Sequence, residues 1–238
     1  MIETAEAAGP AHGQFSLTTR TCLVAGVIVL WLCRAIALFG GDDAPTYWVS
    51  IALEIITGFI LPIFLWNWRD ELGLDLGPGV PASRFMTILM ALPVMIALRL
   101  AMWPPGYLLF DLLHLPEPDL SMYHLEPGNV RTLISFLIGG GISAPVVEEL
   151  VFRGFVLNEL RRLLAGHIRG KLWALLLSSL LFGFIHGPIQ GIGGIVMTCL
   201  MGLGFGTIFM QSRNNLWLVM CVHGFSNVTS ALANFYDL

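Results

Sequence analysis

The chain has 238 residues, of which 56% are hydrophobic and only 12% charged, and its mean hydropathy is +0.78. A soluble domain devotes roughly a quarter of its residues to charge, so this composition leaves too little polar surface for a globule in water and indicates a polytopic membrane protein. The small net charge of -4 argues against a nucleic-acid partner, and four cysteines without CxxC spacing suggest neither a disulfide framework nor a thiolate zinc site.

Residues 1–20 form a polar N-terminal segment without the basic start and short apolar core of a cleavable signal. The first apolar run therefore reads as an uncleaved span, and residues 21–238 read as a single integral membrane domain. Runs long enough to cross the hydrocarbon core lie at 21–39, 47–67, 85–103, 131–158, 171–187, 191–210 and 216–234. The segment 105–114, GYLLFDLLHL with flanking prolines, is too short to span and is expected to be an interfacial or re-entrant helix. The expected fold is thus all-α, a polytopic membrane helix bundle of about seven to eight spans, the eighth being a half-span within 105–130.

Positive charge orients the bundle. Arg20, the Arg69–Arg84 connection, the cluster Arg161, Arg162, Arg169 and Lys171, and Arg213 alternate with connections that hold no Lys or Arg. This alternation fits a cytoplasmic N-terminus, with a bacterial cytoplasmic (inner) membrane as the expected location. In the sixth run, Gly202 and Gly206 have the GxxxG spacing that lets helix backbones approach closely in a bilayer.

Ionisable groups within spans are costly and need a partner or a function. Arg34 and Glu54 stand at similar depth on antiparallel spans and are expected to pair, whereas Arg99 is expected to snorkel to the interface. The remaining polar residues concentrate late in the chain, in the catalytic segment 131–234. Glu148, Glu149 and Arg153 lie on the fourth run, Phe182 and His186 end the fifth, and His223 and Asn227 lie on the seventh. Residues four apart share a helix face, so Glu149 reaches Arg153 and His223 projects with Asn227. Glu148 is turned away from Glu149 by about 100°. One carboxylate can then be neutralised internally while the other faces a different neighbour.

A carboxylate and a neutral histidine can share a water and take its proton as it attacks a carbonyl. A second histidine and an amide can stabilise the resulting oxyanion. Glu148, His186, His223 and Asn227 are accordingly the candidate catalytic residues, with Glu149, Arg153 and Phe182 as supports. No cofactor is the first expectation. Zinc is the alternative, with Glu148, His186 and His223 as candidate ligands, although no HExxH occurs. Ser143, in GGGISAP, is a weaker candidate nucleophile, because a small residue beside three glycines is more simply explained by helix packing.

The motifs EExxxR (Glu148 to Arg153), FxxxH (Phe182 to His186) and HxxxN (His223 to Asn227), in that order, resemble the CPBP family of type II CAAX prenyl endopeptidases and Abi-like, bacteriocin-processing membrane proteins. Residues 1–130 match it only as generic membrane helices. The resemblance implies an intramembrane endopeptidase in which Glu148 acts as general base with His186. His223 and Asn227 would stabilise the oxyanion, and Glu149 and Arg153 would order the site, Glu149 through His223. The implied partners are a membrane peptide or protein substrate and the lipid bilayer. The resemblance does not carry over the substrate. Prenylated CAAX cleavage belongs to the eukaryotic branch, and the compact chain with short loops looks more like the prokaryotic members, whose substrates are diverse. The alternatives are a non-catalytic membrane scaffold or immunity factor and a proton- or cation-coupled transporter.

Overall fold

A computed structural model describes residues 15–37, 44–72, 74, 83–123 and 125–237; most of the polar N-terminal segment lies outside them. The described residues are helical, without strands. Helix α1 is Leu17–Ala37, and α2 runs from Ala44 to Asn67 through a π-helical turn at Ile56–Ile60. The short α3 is Arg69–Leu72, α4 is Arg84–Leu113 and α5 is Val130–Leu163. Helices α6 (Gly170–Phe184), α7 (Gly187–Gln211) and α8 (Leu216–Phe235) complete the bundle. Helices α1, α2, α4, α5, α7 and α8 contain stretches long and apolar enough to cross a membrane, while α6, with 15 residues, is shorter.

The separate interfacial helix expected at 105–114 does not form. Those residues continue α4 through Pro104 and Pro105 and end at His114, whose left-handed backbone (φ 49°) closes the helix. Prolines remove two backbone donors, but a spanning helix tolerates this where neighbouring helices pack against it. Gly106 is buried at Met197 and Leu200 of α7, which holds this last stretch on the bundle. The half-span also fails, because between α4 and α5 the described chain forms only one 3-10 turn, Ser121–Tyr123.

The basic ends meet at one end of the bundle. Arg20 contacts Glu159 Oε1 at 2.7 Å and Leu72 O at 2.7 Å, joining the start of α1 to α3 and the end of α5. Arg162 donates to the same two acceptors, and Arg161 reaches Asn214 between α7 and α8. At the other end, Gly128 N bonds Phe235 O and Asp119 N bonds Gln190 O, so the α4–α5 connection lies over the ends of α7 and α8. Arg34 and Glu54 pair at 2.8 Å as expected. Arg99 does not snorkel outward. It turns inward to α8, where Nη2 donates to Ser226 O at 2.6 Å and Ser230 Oγ at 2.6 Å. A guanidinium this far along a helix finds acceptors more cheaply on a neighbouring helix than by reaching water.

The GxxxG pair packs α6 against α7. A Cβ at Gly202 would approach Ser179 Cα at 3.2 Å, and one at Gly206 would strike Leu175. Gly191 breaks α7 after its first turn with φ 69° and ψ -169°, a conformation essentially reserved for glycine.

Candidate active site

The site is built around α5, whose α-helical turn Ala144–Glu149 lies between two π-helical stretches, Gly139–Ser143 and Leu150–Leu157. Insertions of this kind recur at functional sites because they re-aim side chains within an otherwise regular helix. Pro145 has no N–H for the carbonyls of the preceding turn. Gly140 O is instead satisfied by Asn227, whose Nδ2 donates to it at 2.8 Å from α8. The two helices can meet this closely because residue 224 is glycine: a Cβ there would lie 2.7 Å from Gly141 O.

The adjacent carboxylates have different surroundings. The Glu149 side chain is fully buried, and its Oε1 accepts from Arg153 Nη1 at 3.0 Å and from His223 Nδ1 at 2.8 Å. Arg153 is also buried. Its Nη2 donates to Gly202 O, and its guanidinium lies 4.3 Å from the Phe182 ring centroid and 5.4 Å from that of Phe205. Glu148 remains partly open, with a side chain 14% exposed, and faces His186 with Oε2 to Nε2 at 3.9 Å. This is too long for a direct hydrogen bond and suited to a water bonded to both groups.

The place of His186 follows from the end of α6. In an unbroken helix, Phe182 O would accept the backbone N–H of His186. That N–H goes to Gly183 O at 3.0 Å instead, and the imidazole Nδ1 fills Phe182 O at 2.7 Å. A carbonyl can only accept, so Nδ1 carries a proton. In the neutral ring Nε2 is then the basic nitrogen, and it is this atom that faces Glu148. The FxxxH spacing is therefore a local cap that fixes a tautomer.

Phe182 supports both histidines. Its ring meets His186 edge-on at 4.8 Å and His223 at 6.2 Å, while Phe205 stacks on His223 at 4.6 Å. Glu148, His186, His223, Asn227 and Phe182 all line one cavity of about 950 Å³. Glu149 and Arg153 lie behind its wall. Its other lining residues include Arg34, Arg99 and Tyr123, so it extends towards the end opposite the basic loops. Ser143 lines the cavity as well, but no described hydrogen bond joins it to either histidine.

Residues 130–229 match the family model described as type II CAAX prenyl endopeptidase Rce1-like. The chain is Rce1-like over this stretch. Comparison with curated proteins and with solved structures returned no match. The matched stretch comprises α5 to α7 and most of α8, and it includes all seven predicted site residues. What the resemblance covers is this stretch, and the family it points to is one of endopeptidases.

The donors at the site bear on its fit to zinc. Glu148 and His186 make a two-donor set, and among the described residues no group of three His, Cys, Asp or Glu converges as metal ligands. His223 directs one ring nitrogen to Glu149. The three candidate ligands thus do not fit a metal site in this geometry.

Several residues of the site have no motif to announce them. Phe205 sits among glycines in GLGFGT, where nothing distinguishes it from a packing residue. Gln190 Nε2 donates to Tyr123 Oη at 2.7 Å, tying the α4–α5 connection to the turn that follows His186. Burial pushes the Tyr123 phenol above its ordinary value, so it remains a neutral O–H at neutral pH.

Proposed function

We propose that the protein hydrolyses peptide bonds of membrane-associated peptides or proteins with a water activated between Glu148 and His186. The observation that carries this reading is the 3.9 Å separation of Glu148 Oε2 and His186 Nε2 on the wall of the cavity. Two hydrogen bonds of about 2.8 Å can converge on one water across that gap.

In the proposed reaction the water oxygen bonds to the scissile carbonyl carbon, and one water proton passes to the Glu148 carboxylate. His186 Nε2 accepts the hydrogen bond that orients the water. Asn227 Nδ2 uses one hydrogen on Gly140 O and has a second for the developing oxyanion. His223 gives its Nδ1 hydrogen to Glu149, and in the imidazolium form the same ring also offers an Nε2–H to the oxyanion. Cleavage of the C–N bond returns the proton from Glu148 to the leaving amine. No covalent intermediate and no metal is used in this scheme.

The positive-inside rule places the basic loops and the N-terminus in the cytoplasm, with a bacterial inner membrane as host. The cavity then extends towards the extracytoplasmic face. Comparing membrane peptides in cells that express the wild-type protein or Glu148→Gln tests the function directly. A precursor that accumulates only in the variant supports it, and identical peptide profiles contradict it.

A further inference from the structure

A second pocket, of about 580 Å³, lies at the basic end of the bundle where α5 turns into α6. Among the described residues it shares no lining side chain with the cavity of Glu148 and His186. Its walls carry Arg161, Arg162, Arg169 and Lys171, with Asn158 and His167. The turn is tight, tied by backbone bonds from Ala165 N to Arg162 O, His167 N to Leu164 O and Gly170 N to His167 O. Gly170 permits this closure, because a Cβ there would strike Leu164 O. The local fold thus gathers four cations around one concavity.

These cations exceed their partners. Arg162 shares Glu159 with Arg20, so one carboxylate serves two guanidiniums. Arg161 donates to the amide oxygens of Asn158 and Asn214, which carry no charge. Among the described residues both arginines bond through Nη1 alone, which leaves Nε and Nη2 of each fork for a further acceptor. No described carboxylate lines the pocket, and none pairs with Arg169 or Lys171. A cleft lined by one sign of charge concentrates the opposite ion.

The surface beside the pocket has the composition of a membrane–water interface. Ile168, in the turn, is 89% exposed, and Leu172 and Trp173, directly after Lys171, are 46% and 53% exposed. Tryptophan and apolar side chains beside cations belong at headgroup level, where basic pockets between spanning helices take lipid head groups.

We propose that this pocket binds a phosphate group, with the arginine forks on its oxygens and Lys171 as a point charge. A bound phosphate would bridge the end of α5, through Arg161 and Arg162, to the start of α6. Two sources carry this chemistry: the headgroup of an anionic phospholipid and a free phosphate. The proposal stands apart from the proteolytic reading and does not rest on it.

The test uses the full-length protein in an uncharged detergent. It is titrated with short-chain phosphatidylglycerol, with phosphatidylcholine of the same chains and with inorganic phosphate, and binding is read from the saturating rise in Tm. At least one of the two anions should bind about tenfold or more tightly than phosphatidylcholine, whose headgroup is neutral overall. Phosphatidylglycerol binding that inorganic phosphate does not compete away identifies the lipid headgroup, and saturation by inorganic phosphate identifies the free anion. Arg169→Gln and Lys171→Gln should each weaken the preference and together remove it, with the ligand-free Tm unchanged. Equal responses of the wild-type protein to all three probes overturn the proposal, whether or not the variants fold. So does a full preference in the folded variants, because it would then come from the basic end as a whole and not from this pocket.

Discussion

His223 donates from Nδ1 to Glu149 Oε1 across 2.8 Å, joining α8 to α5 inside the bundle. The same oxygen holds Arg153, so one buried carboxylate orders a cation on its own helix and an imidazole on another. The neighbouring Glu148, free of both, is left to the cavity.

Glu149→Ala should therefore destabilise the protein as well as impair the site. It leaves Arg153 buried without a counter-charge, at a cost of about 3–5 kcal/mol. Arg153→Ala should act in the same direction, because it strands Glu149. Thermal unfolding in detergent checks both, and an unchanged Tm in either variant would count against the pairing.

The motif residues were legible because helical spacing is a local property. Glu149 and Arg153 share a face whatever surrounds them, and so do His223 and Asn227. The link from Glu149 to His223 was implied only by the family resemblance, since spacing within one helix says nothing about which helix it meets. Arg99 shows the same gap: its depth was readable, but its turn towards Ser226 depends on how α4 packs on α8. The continuation of α4 through Pro104 and Pro105 was hidden for a related reason. Local sequence reads two prolines as a stop, whereas packing of Gly106 on α7 keeps the helix going.

Gly224→Ala should lower stability by about 1–3 kcal/mol, the usual cost of overpacking. Its Cβ would push against Gly141 O and drive α8 from α5, loosening the bond from Asn227 to Gly140 O. Activity should fall further than the fraction of unfolded protein explains. Unfolding and cleavage measured on the same preparation test this.

The topology predicts opposite labelling of two engineered cysteines in a background where Cys22, Cys33, Cys199 and Cys221 are replaced. Ser121→Cys, at the cavity, should react with a membrane-impermeant maleimide from the extracytoplasmic side. Ser212→Cys, beside the basic loops, should react only after the cytoplasmic face is opened. The reverse pattern would invert the orientation.

The two-donor geometry of Glu148 and His186 predicts cleavage that is insensitive to strong chelators, together with purified protein that holds no stoichiometric metal. Activity lost to chelation and restored by zinc would replace the proposed water activation with a metal-assisted one.

Most direct is cleavage of one peptide by purified wild-type, Glu148→Gln and His186→Ala proteins, with unfolding measured in parallel. Removing a general base typically costs about 10²–10⁴-fold. Glu148→Gln should reach that range with its Tm unchanged, and His186→Ala should also lose most cleavage. Full cleavage by both folded variants would contradict the assignment of the water to Glu148 and His186.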